Sequence, residues 1–371
     1  MKETSVNRRN FVKTLAVGSG VLATLAGANA AEPMVEERLK FGVVGINHGH
    51  IYGMANAVKR GGGVIKTFYA KEDDLAERFA KAYPEAKRVK SEEEVLQDPE
   101  IKLVLSSGIP IDRAPLGIRV MKAGKDYMSD KPGIITLKQL ADVKKVQKET
   151  NQKYIIVYSE RFENKATIKA QELVANGEIG KVVQTIGLGP HSMHPEDRPD
   201  WFFDMKQVGG IITDIGSHQF DQFLYFTGST SAQILAAQVK NEANQQYPGF
   251  EDFGDVMVQG NKGSGYIRVD WFSPKGLKTW GDGRLTILGT EGYIEIRKNI
   301  DVARYPNGNH LYIANQESTR YIDCNDVELP FGRQVVDDVL NRTETAMTQE
   351  HCFLTMELAL KAQAMALAAK K

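Results

Sequence analysis

Asp214 and His218 stand four residues apart in the stretch Gly209-Gly210-Ile211-Ile212-Thr213-Asp214-Ile215-Gly216-Ser217-His218. On a helix that spacing sets both side chains on one face, with Cβ atoms roughly 5–6 Å apart. A carboxylate beside an imidazole can move a proton near neutral pH. The two preceding glycines let backbone or ligand come close. The same pattern also describes a buried helix with a satisfied core histidine, so the pair needs a partner elsewhere in the chain. Asp130-Lys131-Pro132 offers one, at the end of a short strand pattern running from Asp126 to Ser129. A lysine ammonium there lowers the cost of alkoxide charge, and Pro132, with fixed φ and no N–H, holds the Lys131 backbone in a defined turn. On its own Lys131 reads as a surface lysine. At the C-terminal end of a strand in a doubly wound sheet it stands where ligands bind.

The elements that must position these groups begin with Leu39–Ile46, a short apolar run that reads as a buried strand. Asn47-His48-Gly49-His50 turns it into a helix from about Tyr52 to Arg60. Strand, glycine turn and helix form the context of a dinucleotide fingerprint, whose three glycine slots hold Gly45, Asn47 and His50. Asn47 is expected to replace the second glycine by tolerating positive φ. His50 loosens helix–strand packing, and Gly49 partly compensates. The second strand, Val64–Ala70, ends in Ala70-Lys71-Glu72. The acid that bonds the adenine ribose is therefore absent or displaced by two residues, and Lys71 could meet a 2′-phosphate, a slight lean towards NADP. Strands at Ile101–Ser107, Asp126–Ser129 and Tyr154–Ser159 alternate with helices at Pro115–Ala123 and after Thr136, where Gln139 completes a capping box. This alternation predicts an α/β, Rossmann-like doubly wound parallel sheet. Past Arg161 a helix over about Lys165–Asn176 leads into six strand-like runs between residues 181 and 297, which predict a largely antiparallel open sheet in an α+β second domain. A helix over about 211–226 is expected to pack on that sheet, and residues 333–371 read as helical. The expected division is 1–30, 38–160 and 161–371, with the C-terminal helices packing back on the first domain.

The chain has 371 residues, and its 47 Lys plus Arg balance 47 Asp plus Glu, so nothing points to nucleic acid. The two cysteines, Cys324 and Cys352, lack zinc-type spacing, although one disulfide between them stays open. His191, His194 and His218 with Asp214 lack tight ligand spacing, and the site is expected to be metal-free. Residues 1–30 carry Arg8-Arg9-Asn10-Phe11, a mildly apolar run and Ala28-Asn29-Ala30, and look like a cleaved twin-arginine export signal. They imply a periplasmic protein with no stable membrane anchor after cleavage.

Four features now stand in a fixed order: the glycine turn near 45–50, Asp130-Lys131-Pro132, the Asp214-x-Gly216-x-His218 stretch with Asp221, and Gly289-Thr-Glu-Gly292-Tyr-Ile-Glu295. Together they resemble the Gfo/Idh/MocA-type oxidoreductases typified by glucose-fructose oxidoreductase and inositol dehydrogenase. Most members carry Glu where this chain has Asp130, and many carry His at Arg113. The resemblance implies NAD or NADP on the first domain, with Lys131 near the nicotinamide, Asp214 positioning substrate or base, and His218 as the acid/base. Gly45, Asn47, His48, Gly49, Ser107, Pro110, Asp130 and Lys131 are the expected cofactor contacts. Arg161, His191 and Trp201 are the expected substrate contacts, and Trp280 is a further stacking surface. The reaction implied is hydride transfer to or from a ring secondary alcohol of a sugar, glycoside or cyclitol, with tight cofactor binding because free nucleotide is scarce outside the cytoplasm. The second domain's sheet often carries an oligomer contact, so a homo-oligomer is expected. The rivals are a redox-neutral NAD-dependent glycosidase of the same family and a non-catalytic nucleotide-binding protein. The geometric expectation is that the Asp214/His218 face points across a cleft at Lys131, with room between for one sugar ring and a nicotinamide.

Overall fold

A computed structural model of the chain describes residues 37–304 and 307–369; the export signal expected in residues 1–30 lies outside them. Two sheets organise the fold. The first is parallel and six-stranded: β1 (Leu39–Val44), β2 (Gly63–Tyr69), β3 (Lys87–Arg88), β4 (Leu103–Ser106), β5 (Asp126–Asp130) and β6 (Tyr154–Val157), in the order β3-β2-β1-β4-β5-β6. Strands β4, in the centre, and β6 are buried end to end, which is why they read as continuous apolar runs. The order reverses between β1 and β4, and ligands of such sheets bind at that point, beyond the strand C-termini.

The second sheet has eight strands: β7 (Val182–Pro190), β8 (Ala232–Lys240), β9 (Phe253–Gly260), β10 (Ser264–Asp270), β11 (Arg284–Gly289), β12 (Gly292–Arg297), β13 (His310–Asn315) and β14 (Thr319–Asp323). Its order is β14-β13-β12-β11-β7-β10-β9-β8, and only the β7–β10 pair among these neighbours is parallel. One face is covered by the Lys165–Ala175 and Gly216–Thr227 helices. The second of these lies close on β7 because Gly187 has no side chain; a Cβ there would sit 2.4 Å from Gln219 Oε1.

The helix after β4 starts earlier than the sequence suggests, at Pro110 rather than Pro115. Pro110 suits a first turn, where its missing N–H is no loss. Pro115 cannot donate to the Ile111 carbonyl one turn back, and the Gln139 side chain does so instead, at 2.9 Å. Gln139 also accepts from Ile135 N–H (2.9 Å), while its own N–H meets the Thr136 hydroxyl (3.0 Å). The C-terminal residues form two helices, Phe331–Asn341 and Gln349–Ala368. The first packs on the helix after β1; the second contributes side chains to the hydrophobic cores beneath both sheets. Cys324 and Cys352 are both buried and free. Among the described residues, no helix is long and apolar enough to cross a membrane.

Candidate active site

Between the two sheets lies a cavity of about 400 Å³. The first sheet supplies His48 and His50 after β1, Pro110 and Arg113 after β4, Lys131 after β5 and Glu160 after β6. Asp214, His218, His191, Arg198, Trp201, Trp271 and Trp280 close it from the other side.

The Asp214/His218 segment is helical from Ile211 to Thr227; Ile215, which joins the four-residue turn to the longer helix, keeps helical angles (φ −75°, ψ −41°). Both side chains reach the cavity. Asp214 Oδ1 accepts from Lys131 Nζ at 2.8 Å, and both residues are buried. The space expected between this face and Lys131 is therefore absent: a buried ammonium and a buried carboxylate neutralise one another by direct contact, and the open volume lies beside the pair. Burial alone would raise the Asp214 carboxyl, but the Lys131 ammonium holds it below its ordinary value. His218 is 2 % exposed, and burial pushes its imidazole down to about 4, against the pull of the nearby Glu160 charge. It is thus a neutral base at pH 7.

Arg113 pins the Lys131 turn. Its guanidinium is buried and donates to the carbonyls of Gly108 (2.7 Å), Asp130 (3.2 Å), Lys131 (2.5 Å) and Pro132 (3.3 Å). The Lys131–Pro132 peptide is cis. Asp130 points away from the ammonium of its neighbour: it meets His50 Nδ1 (2.9 Å), His48 Nδ1 (3.1 Å), the Ser107 hydroxyl (3.1 Å) and Arg113 (3.2 Å). Burial would raise this carboxyl, but His50, Arg113 and the hydrogen bonds hold it well below its ordinary value. A carboxylate so placed fixes the rotation of both imidazoles, as a second layer of support does in ligand sites. His48, His50 and Asp130 are close enough together to hold a metal ion, although Arg113 already supplies positive charge to the carboxylate.

A second cavity of about 280 Å³ opens beyond β1, β2 and β4, at the reversal of strand order; Gly45, Asn47, Lys71, Glu72, Gly108 and Arg119 line it. Gly45 takes φ +75°, and a Cβ there would crowd Gly108 at 3.2 Å. Asn47 does not adopt the positive φ expected of it. Its contribution is its side chain, which donates to Glu72 Oε1 at 3.0 Å. The acid displaced by two residues therefore borders the cavity, and the more exposed Lys71 borders it too. A third cavity, about 330 Å³, runs along the helix after β1 and is bordered by Gly49, His50, Gly53 and Asp130; a Cβ at Gly49 or Gly53 would meet nothing. The turns after β1, β2 and β4 that border the second cavity stand where doubly wound sheets bind their ligands.

Of the other expected contacts, Pro110, His191 and Trp201 line the main cavity with His48, and Trp280 joins them. His194 is exposed and lines a different cavity. Ser107 borders none of these spaces; it supports Asp130. Arg161 is a correction. Its guanidinium forms two hydrogen bonds to Asp221, Nε–Oδ2 2.6 Å and Nη2–Oδ1 2.7 Å, and lies against the rings of Phe162 and Tyr225. With its fork spent on a buried carboxylate, it takes no place in the cavity lining. The residue beside it, Glu160, does, as do Arg113, Arg198 and Trp271, none of which the sequence singled out as a contact. A strand-end position marked the 160–161 pair without saying which side chain turns inward.

The description "GFO/IDH/MocA C-terminal domain" matches residues 167–295. A solved structure from Erwinia carotovora atroseptica SCRI1043, named a candidate oxidoreductase, is 42% identical, with a TM-score of 0.86 over 88% of this chain and 98% of its own. Myo-inositol 2-dehydrogenase of Thermotoga maritima is 30% identical over 172 residues, 45% of this chain and 48% of that enzyme. This chain spans about half the length of the first curated relatives it matches. Levoglucosan dehydrogenase, solved with NADH and levoglucosan, shares the fold at a TM-score of 0.76 and 16% identity, over 90% of this chain and 98% of that one.

Proposed function

Since this chain belongs to the Gfo/Idh/MocA family, we propose that it is an NAD(P)-dependent oxidoreductase acting on a ring secondary alcohol of a sugar, glycoside or cyclitol. The observation that carries this reading is the convergence of Lys131, Asp214 and His218, brought from opposite sides, on one cavity beside the strand-order reversal. Inositol and levoglucosan dehydrogenases among its relatives and fold neighbours support the substrate class.

A nicotinamide bound at the strand ends supplies or accepts the hydride. The remaining work falls to the chain. His218, neutral at pH 7, takes the hydroxyl proton on an imidazole nitrogen. Lys131 offers its ammonium to the oxygen as charge develops. Asp214 keeps that ammonium in one place, and Arg113 holds the turn from which it projects. Trp201, Trp271 and Trp280 give the ring apolar surfaces. Glu72 favours NAD: its carboxylate accepts from a ribose hydroxyl and repels a 2′-phosphate. Asn47, donating to that carboxylate, orients it.

The nucleotide is tightly held and recycled in place, in keeping with the Arg8-Arg9 export signal and a periplasmic location. Leu235, Met257, Leu288 and Tyr293, exposed on the outer face of the second sheet, suit a contact with another copy. The test is mass spectrometry of nucleotide released by denaturation, followed by nicotinamide absorbance against a panel of sugars, glycosides and cyclitols. Reduction of NAD with at least one of them is expected. Folded protein that reduces neither NAD nor NADP with any of them would overturn the reading.

A further inference from the structure

Glu160 has no part in the proton and hydride steps, yet it sits in the reactive cavity. It lies in the Ser159–Phe162 turn directly after β6 and is 6 % exposed. Three donors converge on one of its oxygens: Lys298 Nζ, Gln219 Nε2 at 2.8 Å and, more distantly, Gln222 Nε2 at 3.4 Å all reach Oε2. The other oxygen, Oε1, is buried and has no hydrogen-bond partner among the described residues. Burial would raise this carboxyl, but the Lys298 ammonium beside it holds it below the ordinary carboxylate range. It stays ionised, and an ionised carboxylate oxygen can only accept. On the neighbouring helix His218 Nδ1 is in the same condition, buried and unpartnered. Gln222 bridges the two residues, bonding the His218 carbonyl at 2.9 Å as well as Glu160.

Buried polar atoms left without partners are rare and costly in folded proteins, and a pair of them in one cavity calls for a ligand that completes both. A carboxylate serving only as counter-ion to Lys298 would gain from spreading its donors over both oxygens. Here all three are drawn to Oε2, and Oε1 is left without one on a residue that lines the cavity. We propose that Glu160 Oε1 and His218 together form a receptor for two hydroxyls of one ring: the reacting hydroxyl on His218 and a second, donating hydroxyl on Glu160. This deepens, and rests on, the oxidoreductase reading. It narrows the substrate to polyols with a free second hydroxyl near the reacting carbon. A ring that is deoxygenated or O-methylated there cannot donate, and a uronate whose carboxylate falls there is repelled.

The experiment takes a polyol that the wild-type enzyme oxidises and its single-deoxy and O-methyl analogues, each assayed with wild type and Glu160→Gln. A hydrogen bond to a buried charge is lost at one ring position only, so kcat/KM for that analogue should fall about 30-fold in the wild type. In Glu160→Gln the parent should fall to a similar level, and the analogue should lose little more. Equal losses for parent and analogues in the variant would mark Glu160 as structural and overturn the receptor while leaving the oxidoreductase intact. Should the variant not fold, the wild-type series still decides: single-deoxy analogues all within about threefold of the parent would overturn the proposal. Failure to oxidise any polyol is a separate result, which removes the oxidoreductase reading and the receptor with it.

Discussion

Two buried ion pairs join the same helical segment to the ends of neighbouring parallel strands, and they do different work. Asp214 meets Lys131 beyond β5; Asp221, seven residues on, meets Arg161 beyond β6. The Arg161 pair is saturated: two hydrogen bonds, a third contact on Asp221 from His351 at 2.8 Å, and rings against the guanidinium. The Lys131 pair rests on one contact, and both partners border open space. A point charge on a flexible stem can shift from carboxylate to a reacting oxygen; a planar fork held at both tines cannot. The difference between a site and a staple thus lies in what remains unsatisfied.

That contrast can be broken in order of effect. Arg161→Met leaves Asp221 short of its main partner in a fully buried position and should cost about 3–5 kcal/mol of stability, read by chemical denaturation, while kcat of the folded fraction stays near wild type. A large loss of kcat without loss of stability would make Arg161 functional after all. Lys131→Met also leaves a buried carboxylate, Asp214, without its partner, but in the folded fraction it should lower kcat by about 10²–10³-fold; turnover that survives the change would return Lys131 to a structural counter-ion. Glu72→Ser should relax the preference for NAD over NADP by about tenfold, measured as the ratio of the two kcat/KM values, since it removes one charged hydrogen bond and one repulsion. The smallest effect is expected from pH. His218 accepts a proton only while neutral, and burial pushes its imidazole down to about 4. Oxidation should therefore keep its kcat/KM as pH falls from roughly 7.5 to 5.5 and lose it only on approach to the lowered value. An acid limb near the ordinary 6.5 would remove His218 as the base.

The parallel sheet was legible because buried central strands and capped helices follow different periods; Asp214 and His218 drew notice by their spacing of four, and Lys131 by its place at a strand end and the family resemblance. What escaped depends on contacts made across the fold. Arg113 is a cation on a helix, which reads as a solvated face until four carbonyls are seen around it. Glu160 and Arg161 are adjacent, and only the turn after β6 decides which enters the cavity. Strand β14 is an exposed edge whose residues show no inside–outside alternation, so it left no period to read. Asn47 was expected to act through its backbone and acts through its amide, because Glu72 stands within reach.

The Gln349–Ala368 helix carries a mechanical consequence. At its start Gln349 grips both backbone groups of Tyr154 in β6 (2.8 and 3.3 Å); near its end Gln363 accepts from Ile212 N–H, at the root of the Asp214 turn, and donates to Glu251. One rod therefore spans both halves and is riveted to each. Hinged opening of the cavity would have to shear those bonds, so ring-sized ligands should enter by displacement of the 191–203 loop instead. Amide exchange is the gauge: the rod should exchange as slowly as β6, and the loop far faster.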